Sequence, residues 1–339
     1  YSGYGLDQDD PGNPSDLVRH LLSLDLANGA IQWDLQFPSQ GTEKPYQGFQ
    51  ALHGYASSTP VSDGTHVFAF FGRDGVVAAT LDGKQVWRTS VGTDTHSWGS
   101  AASPVLFQDL VIVNASVESG ALVALNKSDG KQAWRFEGIR QAWSSPILVP
   151  LADGRTELVV SHRGELIGLD PKSGKKLWNC DFIQDYICPT PVAHDGIVYA
   201  IGGRRNQAIA VRAGGQGDVT ETHRLWEARA GSNVSSPVYF DGHLYFLNES
   251  RGMAYCVDAT SGNIVYQERL TPRPGTIYAS PVVAGGRIYA VSRENGAFVL
   301  AAKPEFELIQ HNEPLDESIF NGSPAVSGNR MILRSDQFV

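Results

Sequence analysis

Eleven residues carry rings or hydrogen-bonding groups at one recurring position in this chain: Tyr55, Trp98, Trp143, Tyr186, Tyr278 and Phe320, with His53, His96, Arg140, Asp185 and Asn233 beside them. Each ring stands two to five residues ahead of a Ser-Pro or Thr-Pro pair. Flat rings mixed with amides, imidazoles and a guanidinium suit the binding of an extended peptide or a sugar by stacking and hydrogen bonding. The alternative use of the same rings is to fill gaps between neighbouring elements, since rings that face a channel also pack sideways.

No catalytic constellation accompanies them. The nine histidines include no HExxH pair, no serine sits in a GxSxG elbow, and Gly214-Gly215-Gln216-Gly217 lacks the strand before and the helix after that a phosphate loop needs. Cys180, Cys188 and Cys256 are too few and too scattered for a disulfide framework or a CxxC zinc site. Cys180 and Cys188 flank the junction of two repeats, where they either pair in an oxidising compartment or stay free and half-buried as small hydrophobes. The sequence therefore names no catalytic residue and no metal ligand. A net charge of -9 without a Lys/Arg cluster argues against nucleic acid and anionic lipid surfaces as partners. No apolar run reaches the roughly 18 residues of a transmembrane segment.

The elements that must hold the aromatic set in place repeat along the chain. Ala124 to Trp134, ALNKSDGKQAW, reads as a strand, a turn at Ser128-Asp129-Gly130 and a second strand ending in an indole. The frame returns at Ser23 to Trp33, Gly168 to Trp178 and Cys256 to Tyr266, and one residue shorter at Ala78 to Trp87. Glycine lies at or beside each tip, where the chain reverses and positive φ is easiest without a Cβ. In phase with the frame, Pro60, Pro104, Pro146, Pro191, Pro237, Pro281 and Pro324, each preceded by Ser or Thr, are spaced 44, 42, 45, 46, 44 and 43 residues apart. A period of this size, rich in short strands, predicts an all-β propeller with one four-stranded blade per repeat. Connections into the innermost strands then converge at one mouth of a central channel, gathering the aromatic set into a funnel.

The chain reads as a single domain over residues 1-339. Residues 1-16 form an irregular N-terminal segment, 17-37 a half repeat ending at Trp33, 38-53 a connection without a clear period, 55-322 six repeats, and 323-339 a partial last repeat. The insertion Ala213 to Arg224, AGGQGDVTETHR, is expected to be an ordered excursion or loop on one face. Gln337 to Val339 falls where a third strand starts in other repeats, and Arg19 to Asp25 is also a third strand, so the two ends compete for one slot. Eight blades with the first and last incomplete is the expectation, and seven-bladed closure the alternative. Trp33, Trp87, Trp134, Trp178, Trp226 and Tyr266 are expected to be structural docking residues rather than a cofactor platform.

The hairpin frame resembles the tryptophan-docking motif of pyrroloquinoline-quinone-type (PQQ-like) propeller repeats over Arg19 to Val339, and Ala208 to Trp226 is similar to a segment of planctomycete-type repeat proteins. The resemblance implies indoles packed between neighbouring blades, usually eight of them. It is strongest to the non-enzymatic bacterial repeat proteins of this type, including relatives of the outer-membrane protein assembly factor B lipoprotein. The function it implies is a non-catalytic binding or scaffolding module for a protein or carbohydrate partner, monomeric, placed in the periplasm, extracellularly or elsewhere in the cell envelope, and carrying no cofactor. Two alternatives stay open: a PQQ-dependent quinoprotein oxidoreductase, and an outer-membrane protein assembly factor that pairs a partner strand with an exposed blade edge. The first needs PQQ with calcium, an adjacent Cys-Cys pair and converging acidic ligands. No two cysteines of this chain are adjacent.

Overall fold

The computed structural model describes residues 13–339, so the first twelve residues of the expected irregular segment lie outside the described residues. Pro14–Asp16 forms one 3-10 turn, capped where Ser15 N donates to Asn13 Oδ1 at 3.0 Å. Eight sheets follow in chain order among the described residues. Two-stranded sheets stand first and last, Val18–Leu24 with Ile31–Pro38 and Ala325–Ser327 with Arg330–Ile332. The six between them each take four strands from one repeat. The seventh keeps its outer hairpin, Ala297–Ala301 with Leu308–Asn312, although the hairpin frame has degenerated there.

Three stretches depart from the repeat frame. The connection over 38–53 carries a short helix, Phe49–His53. No strand forms over 337–339, where the frame predicts one. Gln337 N and Phe338 N instead donate to Ser335 Oγ, a serine-initiated turn that takes the amides a strand would use. The insertion is ordered. Its Gly217–Asp218 pairs parallel with the strand Lys176–Asp181, Val219 N donates to Asn179 O at 2.8 Å, and Thr220–His223 closes it with one helical turn. It thereby adds a fifth strand to the fourth sheet and covers an edge that would otherwise present unpaired backbone groups.

The described residues form two compact units, 13–148 with Asp170–Lys175, and Val149–Leu169 with Lys176–Val339. In the first unit, period-two alternation buries both faces of the second sheet. Phe68, Phe70, Val76 and Ala78 pack against Val111, Val113 and Val123 of the third sheet, while Ala69, Phe71, Val77 and Ala79 meet Leu21 and Phe37 of the first. The second unit repeats the device, with Tyr199, Ile201 and Ala208 against Leu244 and Phe246, then Tyr245, Leu247 and Cys256 against Ile288, Ala290 and Phe298.

The closing indoles stitch these layers. In the first unit, Trp33 Nε1 donates to Leu81 O at 2.9 Å, Trp87 Nε1 to Lys127 O at 2.7 Å and Trp134 Nε1 to Pro171 O at 3.0 Å. In the second, Trp226 Nε1 donates to Ala259 O at 2.9 Å. Two or three residues beyond each acceptor stands the tip glycine of the next hairpin: Gly83, Gly130, Gly174 and Gly262, where a Cβ would lie 2.5–2.6 Å from the indole. These glycines are thus required twice, for positive φ and for the ring that rests on them. Tyr266 has no indole N–H to give and packs edge-on against Phe306 at 5.5 Å.

A second seam explains the Ser/Thr-Pro marker. Thr59 N donates to Ser103 Oγ and Ser103 N to Ser145 Oγ, at 2.9 and 2.8 Å. In the second unit Thr190 N, Ser236 N and Ser280 N donate to Ser236, Ser280 and Ser323 Oγ at 2.9–3.0 Å. Proline holds the preceding residue extended, and its hydroxyl then serves the amide of the repeat before. No helix among the described residues is long and apolar enough to cross a membrane.

Candidate ligand-binding site

The eleven residues of the aromatic set fall into separate groups. In the first unit the segment between the second and third sheets presents His96 and Trp98, and Trp143 comes up from the connection after the third sheet. Trp98 and Trp143 lie 4.9 Å apart, His96 sits edge-on to both at 5.3 and 4.9 Å, and Phe49 from the short helix meets Trp98 edge-on at 5.4 Å. Trp143 is buried and donates to Gly99 O at 2.8 Å, so it supports the cluster from below. Trp98 is half-buried and Phe49 exposed. Trp98 N donates to His96 Nδ1 at 3.1 Å, putting the remaining ring proton on Nε2. His53 pairs its Nδ1 with Ser57 Oγ at 2.8 Å. Burial lowers the pKa of both imidazoles, reinforced for His96 by the nearby Lys44 charge, so both favour the neutral form. Tyr55, by contrast, is buried and donates to Lys44 O at 2.8 Å.

Beside this cluster the first unit opens a recess lined in part by Arg19, Gln50, His96, Gly99 and Ser100. Of its lining, Arg19 and Gln50 are almost wholly removed from water. Arg19 gives one amino group to Asp74 and the other to Glu43, and Asp74 also accepts Gln40 N at 2.7 Å. Ser100 Oγ donates to Glu118 Oε1. Burial pushes the Glu118 carboxyl up to about 7, only partly offset by that hydrogen bond.

In the second unit Tyr186, Asp185 and Asn233 come together. Asn233 Nδ2 donates to Tyr186 Oη at 2.6 Å, Arg204 lies over the Tyr186 ring at 5.0 Å, and Asp185 Oδ2 accepts Arg204 N at 3.1 Å. Asn233 N donates to Glu249 Oε2 at 3.0 Å. Close by, burial and the charges of Glu249 and Asp185 hold the Cys188 thiol up at about 12, so it is not a nucleophile at neutral pH. A related arrangement recurs where Arg293 covers Tyr278 at 5.2 Å and donates from Nε to Asn321 Oδ1 at 2.8 Å.

Two residues of the set stand apart. Phe320 is 4 % exposed and packs with Ala279 and Val291, turned inward where its N donates to Arg293 O at 2.9 Å. Arg140 is exposed and enters none of these groups. Phe49, Gln50, Glu118, Arg19 and Asp74 were invisible to pattern. Asp74 reads as an ordinary turn residue and Glu118 sits in a four-residue helix, Ser116–Ser119, that replaces a turn.

Among the described residues no three His, Cys, Asp or Glu side chains gather as metal ligands, and the three cysteines are free.

Comparison with known proteins adds four relationships. A family model described as outer membrane protein assembly factor BamB matches residues 19–268. The Yersinia pestis outer membrane protein assembly factor BamB is 25% identical over 260 residues, covering 73% of this chain and 64% of that protein. The tetrathionate hydrolase of Acidithiobacillus ferrooxidans is 24% identical over 307 residues, covering 82% of this chain but 56% of the enzyme. The chain thus spans less than two thirds of the length of either relative. In fold, it resembles the crystal structure of BamB from Moraxella catarrhalis with a TM-score of 0.65 at 16% identity, covering 99% of this chain and 93% of that one.

Proposed function

The chain belongs to the outer membrane protein assembly factor BamB family and has its PQQ-like β-propeller fold, and on that premise we propose that it is a non-catalytic binding and scaffolding module of the bacterial cell envelope. The observation that carries this reading is the aromatic cluster of the first unit, in which buried Trp143 supports half-buried Trp98 beneath exposed Phe49. Rings held rigidly by their neighbours, with Phe49 exposed, offer contact area at little entropic cost, which favours recognition of a partner over transformation of a substrate.

A photoreactive side chain at position 49, irradiated in envelope extract, is expected to form defined adducts that Trp98→Ala abolishes. Absence of adducts, or adducts indifferent to that change, sinks the reading. The hydrolase relative motivates a second reading, an envelope enzyme. Consumption of tetrathionate by the purified chain would replace the binding module with that alternative.

A further inference from the structure

We propose that arginines gathered at one end of the fifth and sixth sheets form a docking surface for an acidic peptide segment of a partner protein, extended and carrying carboxylates three residues apart. The surface belongs to the second unit and involves no residue of the aromatic cluster of the first. Arg205 and Arg251 stand in the turns between the second and third strands of their sheets, 203–206 and 248–252. Arg269 ends the strand Ile264–Arg269 and pairs with Met253, two residues past Arg251. Arg229 follows the strand Arg224–Ala228, whose Ala228 pairs with Ala208, so it stands opposite Gln207, two residues past Arg205. The same pair is thus built twice, in sheets that pack together through Tyr199, Ile201, Leu244 and Phe246. Arg273, in the chain leaving the sixth sheet, joins the second pair, since the adjacent Pro274 lies against Gly252 of its turn.

All five arginines are exposed, and among the described residues none of them enters an ion pair. The carboxylates at this end are used elsewhere or stand off: Asp185 accepts Arg204 N, Glu249 accepts Ser232 Oγ and Asn233 N, and Glu268 and Glu294 stay exposed beyond ion-pairing distance. Arg269 instead donates from Nη1 to Arg251 O at 3.2 Å, which holds one guanidinium against the turn that carries the other. Like charges so placed repel, although a chain of net charge -9 has carboxylates in excess. The fold does not demand arginine there. Three residues past Trp87, Trp134 and Trp178 stand Ser90, Glu137 and Asp181, where Trp226 and Tyr266 are followed by Arg229 and Arg269. An uncompensated pair repeated in adjacent sheets points to a partner that supplies the anions. A guanidinium offers a planar fork of donors that a carboxylate accepts in pairs. Packed sheets stand about 10 Å apart and an extended chain rises about 3.3 Å per residue, so carboxylates three positions apart meet successive arginine pairs. Net charge selects a short segment over a membrane or a nucleic acid, because a long anionic surface would also meet the acidic remainder of the chain and be repelled by it.

The test titrates a fluorescein-labelled peptide, glutamate at every third position among serines, with the full chain and reads anisotropy. Binding is expected at low salt and should weaken as salt rises. The same peptide with glutamine for glutamate is expected not to bind. Arg251→Ala with Arg269→Ala, and separately Arg205→Ala with Arg229→Ala, are each expected to weaken binding about tenfold. Arg212→Ala removes an exposed arginine from the opposite end of the fifth sheet and should change nothing. These side chains are exposed, so the variants should stay folded, and the second pair remains informative if loss of the Arg269 hydrogen bond unsettles the first. No binding of the glutamate peptide, equal binding of the glutamine peptide, or a loss at Arg212→Ala as large as at the two pairs overturns the proposal. So does capture by phosphatidylglycerol vesicles that excess peptide does not displace, which would make the surface a lipid contact. Adducts at position 49 without peptide binding would remove this surface and leave the first-unit cluster standing, and peptide binding without such adducts would do the reverse.

Discussion

The indole N–H of Trp178 donates to Glu157 Oε2 at 2.7 Å, and the same oxygen accepts Gly214 N at 3.0 Å. The other docking tryptophans reach a main-chain carbonyl at the tip of the next hairpin. Here the insertion 213–224 has replaced that tip, and a buried carboxylate serves the indole and the insertion together. Glu157→Ala leaves two donors unmatched and is expected to cost about 2–4 kcal/mol, whereas Glu157→Gln keeps an acceptor and costs less. Denaturant midpoints measure both. An alanine variant as stable as wild type would show that the carboxylate is dispensable.

The double requirement on the tip glycines separates two substitutions that look alike in sequence. Gly130 has φ +68° and a Cβ there would stand 2.6 Å from the Trp87 ring, while Gly154 has φ +85° with nothing within 4 Å. Gly154→Ala should cost only the left-handed strain, about 1 kcal/mol. Gly130→Ala must also displace the indole and is expected to cost about 3 kcal/mol. Trp134→Ala, which empties such a seat, should cost about 3–5 kcal/mol. Equal losses for the two glycines would count against the seating of the ring.

Along the serine seam, Ser280 Oγ accepts Ser236 N at 3.0 Å. Ser280→Ala is expected to lower stability by about 1 kcal/mol, and Ser280→Thr to restore most of it by returning the hydroxyl. If threonine and alanine behave alike in thermal melts, the hydroxyl is not what joins the two repeats.

Glu118 makes stability depend on pH with a definite sign. Burial raises its carboxyl from the ordinary 4.5 to about 7, so the folded state holds this proton more tightly than the unfolded state. The contribution is fully present below pH 4.5, is lost as pH rises towards 7, and is constant above, a change of about 3 kcal/mol. His53, with its pKa lowered by burial, acts oppositely, costing stability as pH falls below 6.5. The comparison of Glu118→Gln with wild type isolates the carboxyl. The variant should gain on wild type across pH 4.5 to 7, and a difference independent of pH would falsify the assignment.

Much of the architecture was legible because it is local. The unbroken apolar run in HVFAFF fits a strand buried on both faces, and Gly130 and Gly262 mark tips where the chain must reverse. The site was legible only in part. Position in the repeat led to Trp98, Trp143 and His96, which do meet, but it could not show that Phe320 turns into the core or that Arg140 stands outside.

By itself the sequence determined the repeat, its turns, its anchoring indoles and its lack of a catalytic motif, since each of these is written in the types and spacing of near neighbours. Tertiary structure alone decided that Arg19 meets Asp74 across 55 positions of chain, that Ser100 meets Glu118, and that Trp178 turns to Glu157. A charge or amide becomes part of a site through what surrounds it and how much water is excluded, and both depend on segments brought together only by folding.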